Sequence, residues 1–333
     1  MPKTTKATTK QVPANVDEDL IKIHHLKGFQ RLSRGGIEKG SVTAFFGPPF
    51  AGKSTVLFEL GIEAAMATDG DMLVFDTESS WPSYKALRKK MERKFNVPVN
   101  IVRMKPHIED NRQKTNRQFK VDWSIYRGKP DPETLNVYIL LCPDIQDILL
   151  AHGKAMEINI SDNAESGKMT AAPQKQGWVR TIFDAPFYKF CKEANIKCVI
   201  YDSMTNPMNE FTTLAQNFPG RTDFNAIWFN QIHKIAAELE IPILMALHES
   251  RKDSGFSKDL KVKGGSVVLY NTKTVYYILR EMVKGLLPAS ATKPIGLADD
   301  ERAMYVMRHP DKKPWQDVEY FTLTDDGLVD KED

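Results

Sequence analysis

Eight consecutive residues concentrate the chemistry of this chain. Gly47-Pro48-Pro49-Phe50-Ala51-Gly52-Lys53-Ser54 fits the pattern G-x-x-x-x-G-K-[ST]. Glycines at both ends let the backbone curl, so that successive N–H groups converge on phosphate oxygens. A helix opening at Lys53 adds the partial positive charge of its N-terminus. Lys53 is then placed to reach the β- and γ-phosphates of a nucleotide and the Ser54 hydroxyl to ligate Mg²⁺, with Thr55 closing the same cradle.

A magnesium nucleotide also needs acids. The apolar run 198–201 ends in Asp202-Ser203, and Asp202 suits the outer-shell position on Mg²⁺. No acid stands beside it. A second acid arrives from a different run, 72–75, which continues into Asp76-Thr77-Glu78. Glu78 there is suited to orient the attacking water as general base. His248 follows the run 243–247 and is suited to sense a γ-phosphate through a ring N–H. The Asn-Lys-x-Asp motif of a GTPase does not occur.

These residues work together only if the fold brings them to one edge. The runs 42–46, 72–75, 137–141, 198–201 and 243–247 are each four or five residues of nearly continuous apolar character, as in strands buried on both faces. Helical patterns lie between them at 53–66 and 222–239, and later strands are expected at 276–279 and 303–307. Strand-then-helix repetition implies an α/β fold with a mainly parallel sheet flanked by helices. In such a sheet the strands deliver their last residues to the edge where the phosphate loop lies.

Two stretches break the rhythm and read as polar insertions into one domain spanning 18–333. The first, at about 103–133, contains Arg103, Lys105, Arg112, Lys114, Arg117, Lys120, Arg127 and Lys129, with Trp123 and Tyr126 among the cations. The second, at about 152–178, reads as a long polar loop. Residues 1–17 are rich in Thr and Lys, without periodicity, and are expected to form a flexible tail.

Composition bounds the setting. Apolar residues make up 41% and charged residues 27% of 333 residues, enough for a full core. No run approaches the roughly 18–20 apolar residues of a membrane span, and residues 1–10 lack the apolar stretch of a secretory signal. Three cysteines suit a reducing compartment, so a cytoplasmic or nucleoid-associated protein is expected. The net charge of +3 does not diagnose a nucleic-acid partner.

The phosphate loop, the distant Glu78 and Asp202-Ser203 together resemble the RecA/RadA class of ATPases. The stretch 34–43 is similar to the strand leading into the RadA core. Asp76-Thr77-Glu78 is similar to that family's Asp-Thr-Glu, and 199–205 to its Walker B strand. Gly220-Arg221, Lys263-Gly264-Gly265 and the tail 303–327 are similar to later family segments. The resemblance implies a RecA-type P-loop NTPase core that binds ATP with Mg²⁺. It also implies single-stranded DNA held by the stretches 206–222 and 249–263. The cations there are Arg221, Arg251, Lys252, Lys258, Lys261 and Lys263.

A homo-oligomer, either filament or ring, is implied as well. RadA recombinases carry Asn-Gln where this chain has Leu247-His248, and no Phe-x-x-Ala polymerisation segment is found before the core. The expected function is ATP-dependent binding of single-stranded DNA in recombination or repair, with DNA-stimulated hydrolysis. A hexameric helicase or translocase, and a weakly hydrolysing regulatory paralogue that meets recombination or replication proteins through its insertions, remain open.

Overall fold

Strands form where the apolar runs lie, and backbone pairing carries them further. The computed structural model describes residues 18–78, 81–109, 120–142, 186–204, 221–249, 272–280, 287, 290–292 and 296–331. The tail 1–17 and the stretch 152–178 lie outside the described residues.

The elements in chain order are β1 (Leu20–Lys22), α1 (Lys27–Ser33), β2 (Gly36–Glu38), β3 (Val42–Gly47), α2 (Lys53–Ala67), β4 (Asp71–Asp76), α3 (Trp81–Phe95), β5 (Val99–Glu109) and β6 (Lys120–Arg127). They continue with β7 (Leu135–Leu141), α4 (Pro186–Glu193), β8 (Ile196–Asp202), α5 (Arg221–Leu239), β9 (Ile243–His248), β10 (Thr274–Leu279), β11 (Glu301–Arg308), β12 (Val318–Thr324) and β13 (Gly327–Asp330).

Among the described residues, 11 strands form one sheet in the order β13-β12-β11-β10-β3-β9-β8-β4-β7-β5-β6. From β10 through β5 every neighbouring pair is parallel; β11, β12 and β13 on one side and β6 on the other add antiparallel edges. This is the α/β architecture expected from the sequence. In β3, β4, β8 and β9 the strand runs one residue past its apolar run, to Gly47, Asp76, Asp202 and His248. Ladder hydrogen bonds use the backbone alone, so a polar side chain need not end a strand.

Side chains alternate across the sheet into two cores. Phe46, Phe75, Tyr201, Leu247 and Tyr277 face one side, with Phe187 of α4 and Phe229 and Ile232 of α5. Phe45, Val74, Ile200, Ala246 and Tyr276 face the other, with Leu57 and Leu60 of α2, Tyr84 of α3 and Phe29 of α1.

Helix α2 is broadly apolar, yet it also buries two carboxylates. Glu59 accepts from Lys94 Nζ and from Leu328 N–H, both at 2.6 Å. Glu63 accepts from the N–H of His24 and, at 3.1 Å, from that of His25. The helix that begins at the phosphate loop is therefore held by α3 and β13 on one side and by the segment after β1 on the other.

The basic stretch at 103–133 is sheet over much of its length. β5 and β6 pair antiparallel, with Arg103 opposite Arg127 and Lys105 opposite Ser124. Trp123, expected among surface cations, packs edge-on against Phe75 at 5.9 Å and lies 5.0 Å from Phe190. No helix among the described residues is long and apolar enough to cross a membrane.

Candidate active site

The phosphate loop leaves β3 at Gly47 and enters α2 at Lys53. A Cβ on Gly47 would sit 2.4 Å from Ile278 O of the neighbouring strand, so only glycine fits there. Gly52 caps α2 with φ +88°, a left-handed conformation that glycine adopts without strain. Ala51 is buried, whereas Phe50, also at positive φ, is 83% exposed. The Lys53 ammonium is buried, and Nζ donates to Gly47 O at 3.0 Å and to Pro48 O at 2.7 Å. Burial pulls its pKa down to about 8, against the opposing pull of Asp202, Glu78 and Glu249.

Strand neighbourhood brings the acids to this loop. Asp76 and Asp202 are partners at the ends of β4 and β8, and Gly47 and His248 are partners at the ends of β3 and β9. Asp202 is buried and hydrogen-bonded to the Ser54 side chain, and Tyr84 OH donates to its Oδ2 at 3.3 Å. Burial pushes the Asp202 pKa up to about 6, and the Ser54 bond partly offsets this. The two residues assigned to Mg²⁺ from sequence thus touch. A buried carboxylate hydrogen-bonded to a hydroxyl fits a divalent cation ligated by the hydroxyl and by phosphate and water, with the carboxylate holding one of those waters.

Glu78 stands on the same edge. Its Oε1 accepts from Ser203 Oγ at 2.7 Å and lies 2.8 Å from His248 Nε2. The His248 bond is the main cause holding the Glu78 carboxyl below the usual range, with the Ser203 bond adding to it. The segments are laced by backbone as well. Thr77 N–H donates to Asp202 O at 3.0 Å, and Thr77 Oγ1 donates to Ser203 O at 2.6 Å while accepting from Ser203 N–H at 3.0 Å.

Sequence reasoning placed Lys53, Ser54, Asp202, Glu78 and His248, and the structure gathers all of them. It named Ser203 only within Asp202-Ser203, without its bond to Glu78, and did not single out Tyr84 or Glu249. Glu249 reads in the sequence as one more polar residue of a basic loop. In the fold it is buried, its N–H donates to Gly47 O at 3.2 Å, and Tyr277 OH reaches its Oε2 at 3.4 Å. Tyr84 reaches Asp202 from α3, with no signal in its own neighbourhood. Arg221 heads α5, and nothing is described of its side chain; Arg251, Lys252, Lys258, Lys261 and Lys263 lie outside the described residues.

A mostly parallel central sheet flanked by helices, with a phosphate loop at the carboxyl edge and acids from neighbouring strands, is the α/β phosphate-loop arrangement that a resemblance to RecA-type cores implies. Comparison with known proteins narrows this. No family model matches the chain. A stretch of 62 residues is 44% identical to the DNA repair and recombination protein RadB of Methanobrevibacter smithii. That match takes in 18% of this chain and 26% of the relative, so it spans about a quarter of that protein's length. A crystal structure of the RadB recombinase aligns over 92% of this chain and 97% of its own, at 17% identity and a TM-score of 0.49. The local match supports a RecA/RadA-family recombinase-like protein.

Proposed function

We propose that this chain binds ATP with Mg²⁺, binds single-stranded DNA and hydrolyses ATP in response to it, in recombination or repair. One observation carries the reading: Glu78 stands on the edge that also presents Lys53, Ser54 and Asp202, held at a single oxygen by Ser203 and His248. The recombination and repair setting is taken from the RadB match.

In this reading the backbone N–H groups of 47–54 cradle the phosphates, and the Lys53 ammonium offsets charge on the β- and γ-phosphates. Ser54 and Asp202 hold Mg²⁺, which when bound supplies further neutralisation of the phosphate oxygens. Glu78 orients a water toward the γ-phosphorus and takes its proton; the bond to the β–γ bridging oxygen breaks, and ADP and inorganic phosphate leave. His248 and Ser203 hold the carboxylate in its ionised form, the form a base requires.

The test is steady-state hydrolysis with and without single-stranded DNA, for the wild type and for Glu78→Gln. Stimulation by DNA, lost by about 10²- to 10⁴-fold in the variant while ATP still binds, is the expected result. Hydrolysis insensitive to Glu78→Gln would refute the assignment. Tight ATP binding with no hydrolysis under any condition would favour a regulatory paralogue instead.

A further inference from the structure

The large apolar side chains exposed among the described residues are Phe50, Ile125, Tyr126 and Val329, and two of these are adjacent on β6. β6 is the outermost strand on its side of the described sheet. Ile125 pairs with Met104 on the core side of the hairpin, whereas Tyr126 stands among cations. Arg103 on β5 lies directly opposite Arg127 on β6, and its guanidinium sits over the Tyr126 ring at 5.1 Å. Lys105 and Lys129 are exposed, each two residues further along from one of these arginines. Side chains two apart on a strand are separated by about 6.6 Å, so Arg103 and Lys105 stand in a row on β5, with Arg127 on β6 and Lys129 just past the end of β6.

Like charges directly opposite in an antiparallel pair are destabilising. Edge lysines do protect sheets from pairing with other chains, but that role does not call for an exposed Tyr126 beside them. Trp123, also on β6, is partly buried against Phe75 and Phe190. Asp131 and Glu133 follow the patch, and Asp131 is turned back to accept from Glu133 N–H at 3.0 Å.

We propose that the outer β5–β6 edge is a contact site for single-stranded nucleic acid, at the opposite end of the strand order from β10–β13 and distinct in sequence from the stretches 206–222 and 249–263. Arg103, Lys105, Arg127 and Lys129 meet phosphates, and Tyr126, backed by the Arg103 guanidinium, is a platform for a base. An acidic peptide would satisfy the cations but leave the aromatic plate without a flat partner; nucleic acid satisfies both. The proposal rests on the reading above only for the class of partner.

The experiment is fluorescence anisotropy of a labelled oligothymidine with the full chain over a salt series. The variants are Arg103→Gln/Arg127→Gln and Tyr126→Ala, and crosslinking to an oligonucleotide bearing iododeoxyuridine accompanies them. Losing two phosphate contacts should make the log–log salt slope shallower by about 1.4. Tyr126→Ala should weaken binding at least about fivefold with the slope kept, because stacking is not a counterion effect. Crosslinks are expected at Tyr126.

The arginine variant removes the Arg103–Tyr126 contact along with an opposed like-charge pair, so its melting temperature is measured beside the wild type's. If it does melt lower, Lys105→Gln/Lys129→Gln replaces it with the same expected change in slope. Wild-type affinity and slope in the variants, without a crosslink on β6, would overturn the proposal and leave the function above intact. So would binding of polyglutamate at this edge, lost in the same variants, with no change in oligonucleotide binding. A wild type that binds no oligonucleotide at all would remove both readings.

Discussion

Lys53 should make nucleotide binding depend on pH in a range where most lysines are indifferent. Its ammonium is buried in the phosphate loop on two carbonyls, Gly47 O and Pro48 O, and its pKa lies at about 8. At pH 8 about half of the nucleotide-free molecules hold a neutral Lys53, and at pH 9 about nine-tenths do. A triphosphate favours the ammonium strongly, so binding takes up a proton. If the protonated form alone binds, the apparent Kd rises about twofold at pH 8 and about tenfold at pH 9, some 1.4 kcal/mol, over its value near pH 7.

Calorimetry with a non-hydrolysable ATP analogue, in two buffers of different ionisation enthalpy, reads the proton directly. About half a proton per nucleotide should be taken up at pH 8. The nucleotide-free fold provides a second check with its own sign. A lysine whose pKa is depressed by folding holds more protons when unfolded, so its contribution to stability rises with pH between about 8 and the ordinary value of 10.5. Lys53→Met should lose most of the affinity and all of this pH dependence. A Kd flat from pH 7.5 to 9.5, with no proton uptake, would refute the argument.

Two further outcomes follow from the geometry. His248→Ala or Ser203→Ala removes a partner from Glu78 Oε1, so the Glu78 pKa rises and the acid limb of the rate–pH profile moves to higher pH. Each should also lower kcat by about ten- to hundredfold, as expected for losing a hydrogen bond to a charged group; an unmoved limb would mean that neither residue positions the base. Lys94→Met strands the buried Glu59 carboxylate and should lower stability by about 3 kcal/mol in urea unfolding, with part of the loss recovered on adding Glu59→Gln. A cost below about 0.5 kcal/mol would show that this pair does not hold α2 in place.

The sequence by itself determined what consecutive residues can determine. The phosphate loop is chemistry written in one short stretch, and runs such as 42–46 and 243–247 must be buried strands because they have no polar face. The parallel edge follows from strand–helix alternation, which is why Asp202, Glu78 and His248 could be assigned to a common site. Tertiary structure decided the rest. Ser203 and His248 meet Glu78 across separations of 125 and 170 residues, because β8 lies beside β4 and β9 beside β8. Strand order is set by how whole layers pack, and no local spacing encodes it. Composition alone likewise could not tell that Glu249 is buried and Trp123 turned into the core. Nor could it tell that Arg103 and Arg127 face each other on the outermost hairpin: each depends on which surface another element happens to cover.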